Sequence, residues 1–329
     1  ILGAGAAGMM CAAHAGPGAV VVEHRAAPGE KIRISGGGRC NFTNLHTAPE
    51  NFLSENPHFC KSALSRYTQW DFLDLVARHA IPWHEKTLGQ LFCDRSAKDI
   101  IAMLRAEMGD TPLWLETGVE DIAHDGTGFR ASLTRAGKPV TVTADHLVLA
   151  TGGKSIPKMG ATGLAYRIAA QFGHRVTETR PALVPLTFDE AQKAVFAGLA
   201  GTAVDTRITC NGGAFDEAML FTHRGLSGPA VLQISSYWRE GDSLAVRLRP
   251  DLDLYPHLRA RRTEAGARAL STDLAEFLPK KLAQHLAEAW ALKGNLGDLS
   301  DAALRALADR LEGWILTPTS SEGYRTAEV

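Results

Sequence analysis

Gly3-Ala4-Gly5-Ala6-Ala7-Gly8 stands at the head of the chain, and Glu23 follows at the end of the apolar run Val20-Val21-Val22. This spacing restricts the fold more than any other feature. A strand has to end at Gly3, a helix has to start directly after it, and a second strand has to end at Glu23. Each glycine has a separate task. Gly3 permits the tight turn, Gly5 lets backbone approach a pyrophosphate, and Gly8 lets the helix pack close to the sheet. Free N–H groups and the macrodipole at the helix start favour phosphate, so Ala6 and Ala7 are candidate contacts as well. A carboxylate at position 23 suits the ribose diol of FAD or NAD, whereas an arginine there would suit a 2′-phosphate. A glycine-rich turn that binds nothing is the alternative. Against it, the small-residue helix expected over 6–15, the strand and the carboxylate all agree.

Only Ile1 and Leu2 precede Gly3, fewer than the roughly five residues of an ordinary strand. The chain is therefore expected to be part of a longer protein, and Glu328-Val329 reads as the start of a further strand. The apolar beginning lacks the basic region of a signal peptide. No apolar run approaches the roughly 18–20 residues that span a bilayer. A length of 329 residues favours two domains. With 35 basic and 36 acidic residues the net charge is −1, which gives no global pull toward nucleic acid or membrane. Cys11, Cys40, Cys60, Cys93 and Cys210 contain no CxxC pair, as expected for a reducing cytoplasm without a disulfide framework or zinc ribbon. No HExxH occurs, and no metal site is expected.

Helical periodicity is expected over 56–80, with Phe72, Leu73 and Val76 on one stripe, and over 97–108, with Ile100, Ile101 and Leu104. Residues 113–142 alternate and predict a small antiparallel unit. His146-Leu-Val-Leu-Ala150 reads as a buried strand that runs into Thr151-Gly152-Gly153, a second turn at which backbone could approach a ligand. Composition shifts near Pro181. From there to about Pro250 the chain is strand-like, and from Tyr255 to Leu311 it is helical. The expected organisation is an α/β dinucleotide-binding domain over 1–182, an inserted β-barrel and helical domain over 183–314, and a return to the first domain over 315–329.

Three further loops carry candidate chemistry. Lys31-Ile-Arg-Ile-Ser-Gly-Gly-Gly-Arg-Cys-Asn41 has three adjacent glycines set among Lys31, Arg33, Ser35, Arg39 and Asn41. It can wrap a cofactor and present donors and positive charge, which stabilise a reduced flavin; a flexible basic surface loop is the alternative. Phe221-Thr-His-Arg-Gly-Leu-Ser-Gly-Pro229 combines His223 and Arg224 with turn glycines, for a substrate or for a tight turn. Ser321-Glu-Gly-Tyr-Arg-Thr-Ala-Glu328 offers Tyr324 and Arg325, or simply leads into a strand. No second strand-linked GxGxxG exists, so a nicotinamide donor would have to dock transiently.

Together these motifs, with His84-Glu-Lys-Thr-Leu-Gly-Gln-Leu-Phe-Cys-Asp94, resemble a bacterial NAD(P)/FAD-dependent oxidoreductase family of the aminoacetone-oxidase-like kind. Bile-acid-reductase-like proteins and an enzyme that makes dihydrouridine in large-subunit ribosomal RNA belong to it. The resemblance spans essentially the whole chain, and 58–94 looks closest to the RNA enzyme. It implies a Rossmann-like FAD domain of the glutathione-reductase type carrying an inserted barrel-plus-helix domain, and a further glycine-rich segment that closes over the flavin. Ser321 departs from the threonine usual there. The implied cofactor contacts are Gly3, Gly5, Ala6, Ala7, Gly8, Glu23, Lys31, Ser35, Gly36, Gly37, Gly38, Arg39, Cys40, Asn41, Val119, Thr151, Gly152 and Gly153.

The activities in this family reduce a carbon–carbon double bond conjugated to a carbonyl. FAD is the implied cofactor and NAD(P)H a transient reductant. The expected substrate is uridine in ribosomal RNA; a small unsaturated ketone of steroid or bile-acid type, or a flavin-stabilised RNA-binding protein without turnover, are the alternatives. Neither a stable protein partner nor a membrane is implied. Cys40, His223 and Tyr324 are candidate proton donors, with a packed structural role as the alternative for Cys40. Arg247, Arg249, Arg259, Arg261 and Arg262, followed by Lys280 and Lys281, form a candidate contact for RNA phosphates, or an ordinary charged helix face.

Overall fold

The computed structural model describes residues 1–328, and their contacts divide into two compact units, Ile1–Glu178 and a second from Thr179 onward. In the first unit, Leu2 bridges in parallel to both Val22 and Leu149, and β1 (Val21–Val22) pairs in parallel with Leu113–Trp114. The chain thus lays four parallel segments side by side in the order 149, 2, 22, 113. α1 (Ala6–His14) starts at the first turn, and α2 (Glu30–Gly38) follows β1. β2 (Asn41–Asn44), α3 (Lys61–Arg66), α4 (Gln69–Arg78), β3 (Trp83–Glu85) and β4 (Gln90–Cys93) come next, with the small sheet ordered β2-β4-β3. α5 (Ala97–Glu107) and β5 (Leu113–Trp114) complete the parallel layer.

Successive strand residues face opposite sides, and the two sides are filled differently. Val21 joins Met9, Ala12, Ile100, Met103 and Leu104 in a core made with helices. Val22 joins Leu2, Ile122, Leu133 and Ile168 in another, made with the antiparallel meander β6 (Thr117–His124), β7 (Phe129–Arg135) and β8 (Lys138–Ala144) and with α6 (Leu164–Gln171). The helix expected over 56–80 is interrupted. The backbone leaves helical geometry at Tyr67, and Thr68 restarts it by accepting from the Asp71 N–H in a capping box.

The second unit is built on β9 (Leu186–Thr187), α7 (Glu190–Phe196), β10 (Ala203–Cys210), β11 (Gly213–Phe221), β12 (Gly225–Ser227), α8 (Pro229–Ile234) and β13 (Leu244–Leu248). Helices α9 (Leu254–Ala265), α10 (Leu270–Leu274), α11 (Lys280–Ala289) and α12 (Asp301–Glu312) follow, then β14 (Trp314–Leu316) and β15 (Ser320–Ser321). Along β10, Val204, Thr206 and Ile208 are buried while Ala203, Asp205 and Arg207 face out. Asn211-Gly212 makes the β10–β11 hairpin, both residues at positive φ, as a two-residue primed turn requires.

Three sequence expectations are corrected here. The sheet is open rather than a barrel: its order runs β14-β13-β10-β11-β12-β9-β15, and among the described residues its two outer strands have no pairing with each other. Residues from 315 do not leave the unit at that point, because Ile315 pairs with Ala245 and Ser321 with Leu186. The lower boundary also moves, from 182/183 to 178/179. The strand expected at Glu328-Val329 ends outside the described residues.

Candidate dinucleotide site

The parallel layer brings three of the sequence-predicted segments to one edge. The Gly3 N–H donates to Val22 O (2.8 Å) and the Ala150 N–H to Leu2 O (2.8 Å), so the first glycine turn, Glu23 and Thr151 follow three adjacent parallel strands. This is the C-terminal edge where open α/β sheets bind ligands.

The glycines divide by what a side chain would meet. A Cβ at Gly3 would lie 2.4 Å from Ala150 O, and one at Gly8 would lie 1.8 Å from Gly3 O. Both are required by packing. A Cβ at Gly5 would meet nothing within 4 Å, and Gly5 caps α1 without any side-chain hydrogen bond. The first-turn N–H groups of a helix have no partner inside it, so those at Ala6, Ala7 and Gly8 point toward the space beside Gly5. Thr151 Oγ1 is buried without a hydrogen-bond partner. An open cradle at a helix start and an orphaned hydroxyl at the same sheet edge fit a bound diphosphate.

Glu23 sits where the fingerprint requires, with an unexpected second role. Its Oε2 accepts from the Ala4 N–H (2.8 Å) and its Oε1 from the Arg25 N–H (3.0 Å). The carboxylate therefore clamps the turn it serves. Val119 lies on β6, paired with Leu133 and packed against the meander core. β6 starts beside Glu23, through Thr117 N–H to Glu23 O (2.9 Å).

The triple-glycine stretch is more ordered than its composition suggests. Glu30–Ile34 is helical; the chain then turns through Gly36 and Gly37, both left-handed. Gly36 has no room for a side chain, since its Cβ would stand 2.6 Å from the Phe92 ring, whereas Gly37 faces open space. Arg39 and Asn41 are exposed, and Ser35 Oγ donates to Ile32 O (2.8 Å). Lys31 Nζ donates to Ser155 Oγ (2.8 Å), joining this loop to the one after Thr151; partial burial lowers its pKa. Sequence reading missed Ser155, which lies four residues after Thr151 without a motif of its own. It also missed Gly29, whose N–H donates to Ala4 O (2.9 Å).

Cys40 is corrected. It is buried in the helix-side core, and burial raises its thiol pKa. It packs opposite Cys93, whose pKa burial and the neighbouring Cys40 push up to about 12. Its place is in the packing beneath the loop, and all five cysteines are free.

In the second unit, the Phe-Thr-His-Arg-Gly stretch is the β11–β12 turn. Thr222 Oγ1 accepts from the Arg224 and Gly225 N–H groups (3.2 Å each). His223 is exposed at the tip. Gly225 and Gly228 are both closed, by Leu186 O at 2.4 Å and Ala218 O at 2.7 Å from a built Cβ. Tyr324 belongs to a short turn of helix after β15. β12 and β15 flank β9 from its two sides, and Arg224 reaches Glu322 at 3.7 Å. Two motifs far apart in sequence are thereby neighbours.

The arginine-rich stretch has partners within its own unit. Arg261 is held by the buried Asp273 (2.7 Å), Arg262 by Asp301 (2.5 Å) and Leu299 O (2.8 Å), and Arg249 by Asp251 (2.7 Å) and Phe277 O (2.6 Å). Arg247 lies 3.5 Å from Glu312 and Arg259 3.8 Å from Asp301. Arg259, Arg261 and Arg262 tie α9 to its neighbours, and Arg247 joins β13 to α12.

A glycine turn, a carboxylate and a helix start arranged in this way define a Rossmann-type dinucleotide-binding protein. The chain belongs to the HI0933-like family, whose Rossmann domain matches residues 1–312. It is 48% identical over 343 residues to the ribosomal RNA dihydrouridine synthase of Escherichia coli K12, covering 100% of this chain and 83% of that protein. The enzyme of the same name from Haemophilus influenzae is 41% identical, with 100% and 84% covered. The 3-dehydro-bile acid delta(4,6)-reductase of Clostridium scindens is 29% identical, again with 100% and 84% covered. No helix among the described residues is long and apolar enough to cross a membrane.

Proposed function

We propose that this protein is an FAD-dependent reductase that converts uridine to dihydrouridine in large-subunit ribosomal RNA, with NAD(P)H as its transient reductant. The observation that carries the reading is the 48% identity to a ribosomal RNA dihydrouridine synthase, which runs through an intact open cradle at Gly5. The bile-acid reductase is more distant at 29%, so RNA is preferred to a small unsaturated ketone, and turnover to a purely binding role. A cytoplasmic location follows from that substrate.

The chain's own residues would divide the work. Gly5 leaves room for the pyrophosphate, and the N–H groups of Ala6, Ala7 and Gly8 donate to it. Glu23 accepts from the adenosine ribose. The exposed face of the Gly37–Asn41 loop, with Arg39, supplies donors and positive charge where the reduced ring carries its negative charge. When bound, FAD supplies the hydride equivalent for the substrate's β-carbon. The carbonyl oxygen gains charge as the double bond is lost, and a proton is needed at the α-carbon. His223 and Tyr324 are the residues to test for that proton.

Mass mapping of large-subunit ribosomal RNA from a strain lacking the gene tests the reading. A uridine that loses its two added hydrogens in that strain, and regains them with the wild-type gene but not with Gly5→Val, is expected. An unchanged RNA mass map would overturn it.

A further inference from the structure

The five most exposed large apolar side chains of the first unit all lie between β2 and β4. Phe59 is 78% exposed, Leu88 58%, Trp70 56%, Leu53 52% and Phe52 48%. Isolated exposed apolar residues need no explanation, but a group of them on one surface does. Hydrogen bonds pin this group together. Pro49 O accepts from the Phe52 N–H (3.2 Å) and from Cys60 Sγ (3.7 Å), which brings Phe52 and the residue after Phe59 to one carbonyl. Gln69 Nε2 donates to Leu45 O (3.0 Å), which sets Trp70 beside the end of β2. Asn44 Nδ2 donates to Leu88 O (2.9 Å). β2 itself begins at Asn41, the last residue of the glycine loop.

Charges of both signs lie around these rings: Glu50, two residues before Phe52, and Asp74, four after Trp70, are exposed, and a cationic stretch follows Phe59. From His58 to Arg66 there is no acidic residue, and Lys61 and Arg66 are exposed. Glu55, the nearest carboxylate before this run, is engaged by Arg175 (2.7 Å), and Asp71, the nearest after it, is engaged in the Thr68 capping box. Ser54, Asn56 and His58 stand between Phe52 and Phe59 along the chain. A protein contact would be expected to have an apolar centre with the polar groups at its rim. Separate rings among hydrogen-bonding side chains, flanked by cations, instead match the way unpaired nucleobases are held, by stacking on rings and by contacts to base edges and phosphates.

We infer that the surface bearing Phe52, Phe59 and Trp70 is the docking platform for unpaired bases of an RNA, with Lys61 and Arg66 on its phosphates. The inference rests on the proposed RNA substrate. It also moves the RNA contact away from α9, whose arginines are engaged within the fold.

The test uses the full-length, flavin-loaded protein and deproteinised large-subunit ribosomal RNA from a strain lacking the gene, with affinity measured across a salt series. Changing Phe52, Phe59 and Trp70 together to Ser should lower affinity at least tenfold and leave the salt slope unchanged. Lys61→Ser with Arg66→Ser should flatten that slope by about 1.4, at about 0.7 for each single-strand phosphate contact. Flavin content and thermal midpoint should stay at wild-type values in both variants. If the triple variant does not fold, the RNA-induced quench of tryptophan emission replaces it: the quench should largely vanish in Trp70→Phe and persist in Trp83→Phe. Wild-type RNA binding that neither variant alters, or a quench that survives Trp70→Phe, overturns the inference while leaving the proposed reaction standing. A dimer that the triple variant dissociates at unchanged RNA affinity also overturns it, and assigns the surface to a second copy. No RNA binding by the wild type and no change in the deletion strain's RNA removes the reaction and the platform together.

Discussion

In the turn at residues 3–8 a methyl group on Gly3 or Gly8 would run into backbone, while one on Gly5 would stand in open space. In the turn at residues 225–228 of the second unit, both glycines are closed by neighbouring strands. On paper the two motifs look alike, each a short run of glycines and small residues between a strand and a helix. The first combines packing glycines with one that keeps a helix start open. The second uses its glycines only to let β12 lie close to β9 and β11, and leaves His223 exposed at the tip. A glycine pattern marks close approach, and only the surrounding strands reveal whether the approaching group is protein or ligand.

The strongest way to break this contrast is to fill the closed positions. Gly8→Ala and Gly225→Ala should each destabilise their own unit by about 3 kcal/mol, the range of overpacking that backbone cannot relax. Stepwise urea unfolding reads the two units separately. A neutral outcome at either position would mean that the close approach has slack.

Glu23→Ala comes next. Because its carboxylate accepts from the Ala4 N–H, the loss should reach about 2 kcal/mol even without cofactor, the cost of leaving a partly buried donor and a charge-assisted bond unmade. Flavin affinity should fall as well. If the apo-protein's stability is unchanged and only flavin affinity drops, the clamp contributes nothing and the carboxylate serves the ligand alone.

Gly5→Val separates binding from folding. It should cost only about 1 kcal/mol, since it alters a helix cap, yet flavin retained per protein after gel filtration should fall at least tenfold. Full retention would show that the open space is not the pyrophosphate site.

The smallest expected effect compares two turns held by side-chain oxygens. Asp125 accepts from the Thr127 N–H (2.9 Å), Thr127 Oγ1 (2.6 Å) and the Gly128 N–H (3.0 Å), which holds its carboxyl at about 2. Its folded pKa lies below the unfolded value, so its contribution is present above pH 3.8 and is lost as pH falls through about 2. Thr222 holds the β11–β12 turn in the same way but does not titrate. NMR signals of the β6–β7 turn should shift across that window while those of the β11–β12 turn stay fixed, and Asp125→Asn should abolish the shift.

The sequence by itself determined what short-range rules can encode. The glycine turn and its carboxylate, α1, α5, the meander over 117–144 and the hairpin at Asn211-Gly212 all follow from spacing and turn chemistry within a few residues. Tertiary structure decided everything that depends on distant partners. It closed Gly3 against Ala150, which comes from a distant strand, and left Gly5 open. It placed Cys40 under the loop instead of on it, because Cys93 comes back opposite. It kept β14 and β15 in the second unit through pairing with β13 and β9, and left the sheet open. It also engaged the α9 arginines with Asp273 and Asp301 and left the rings of Phe52, Phe59 and Trp70 outside. Residue type alone gives a charge or a ring; whether it is satisfied by the fold or available to a ligand depends on which remote segment the fold packs against it.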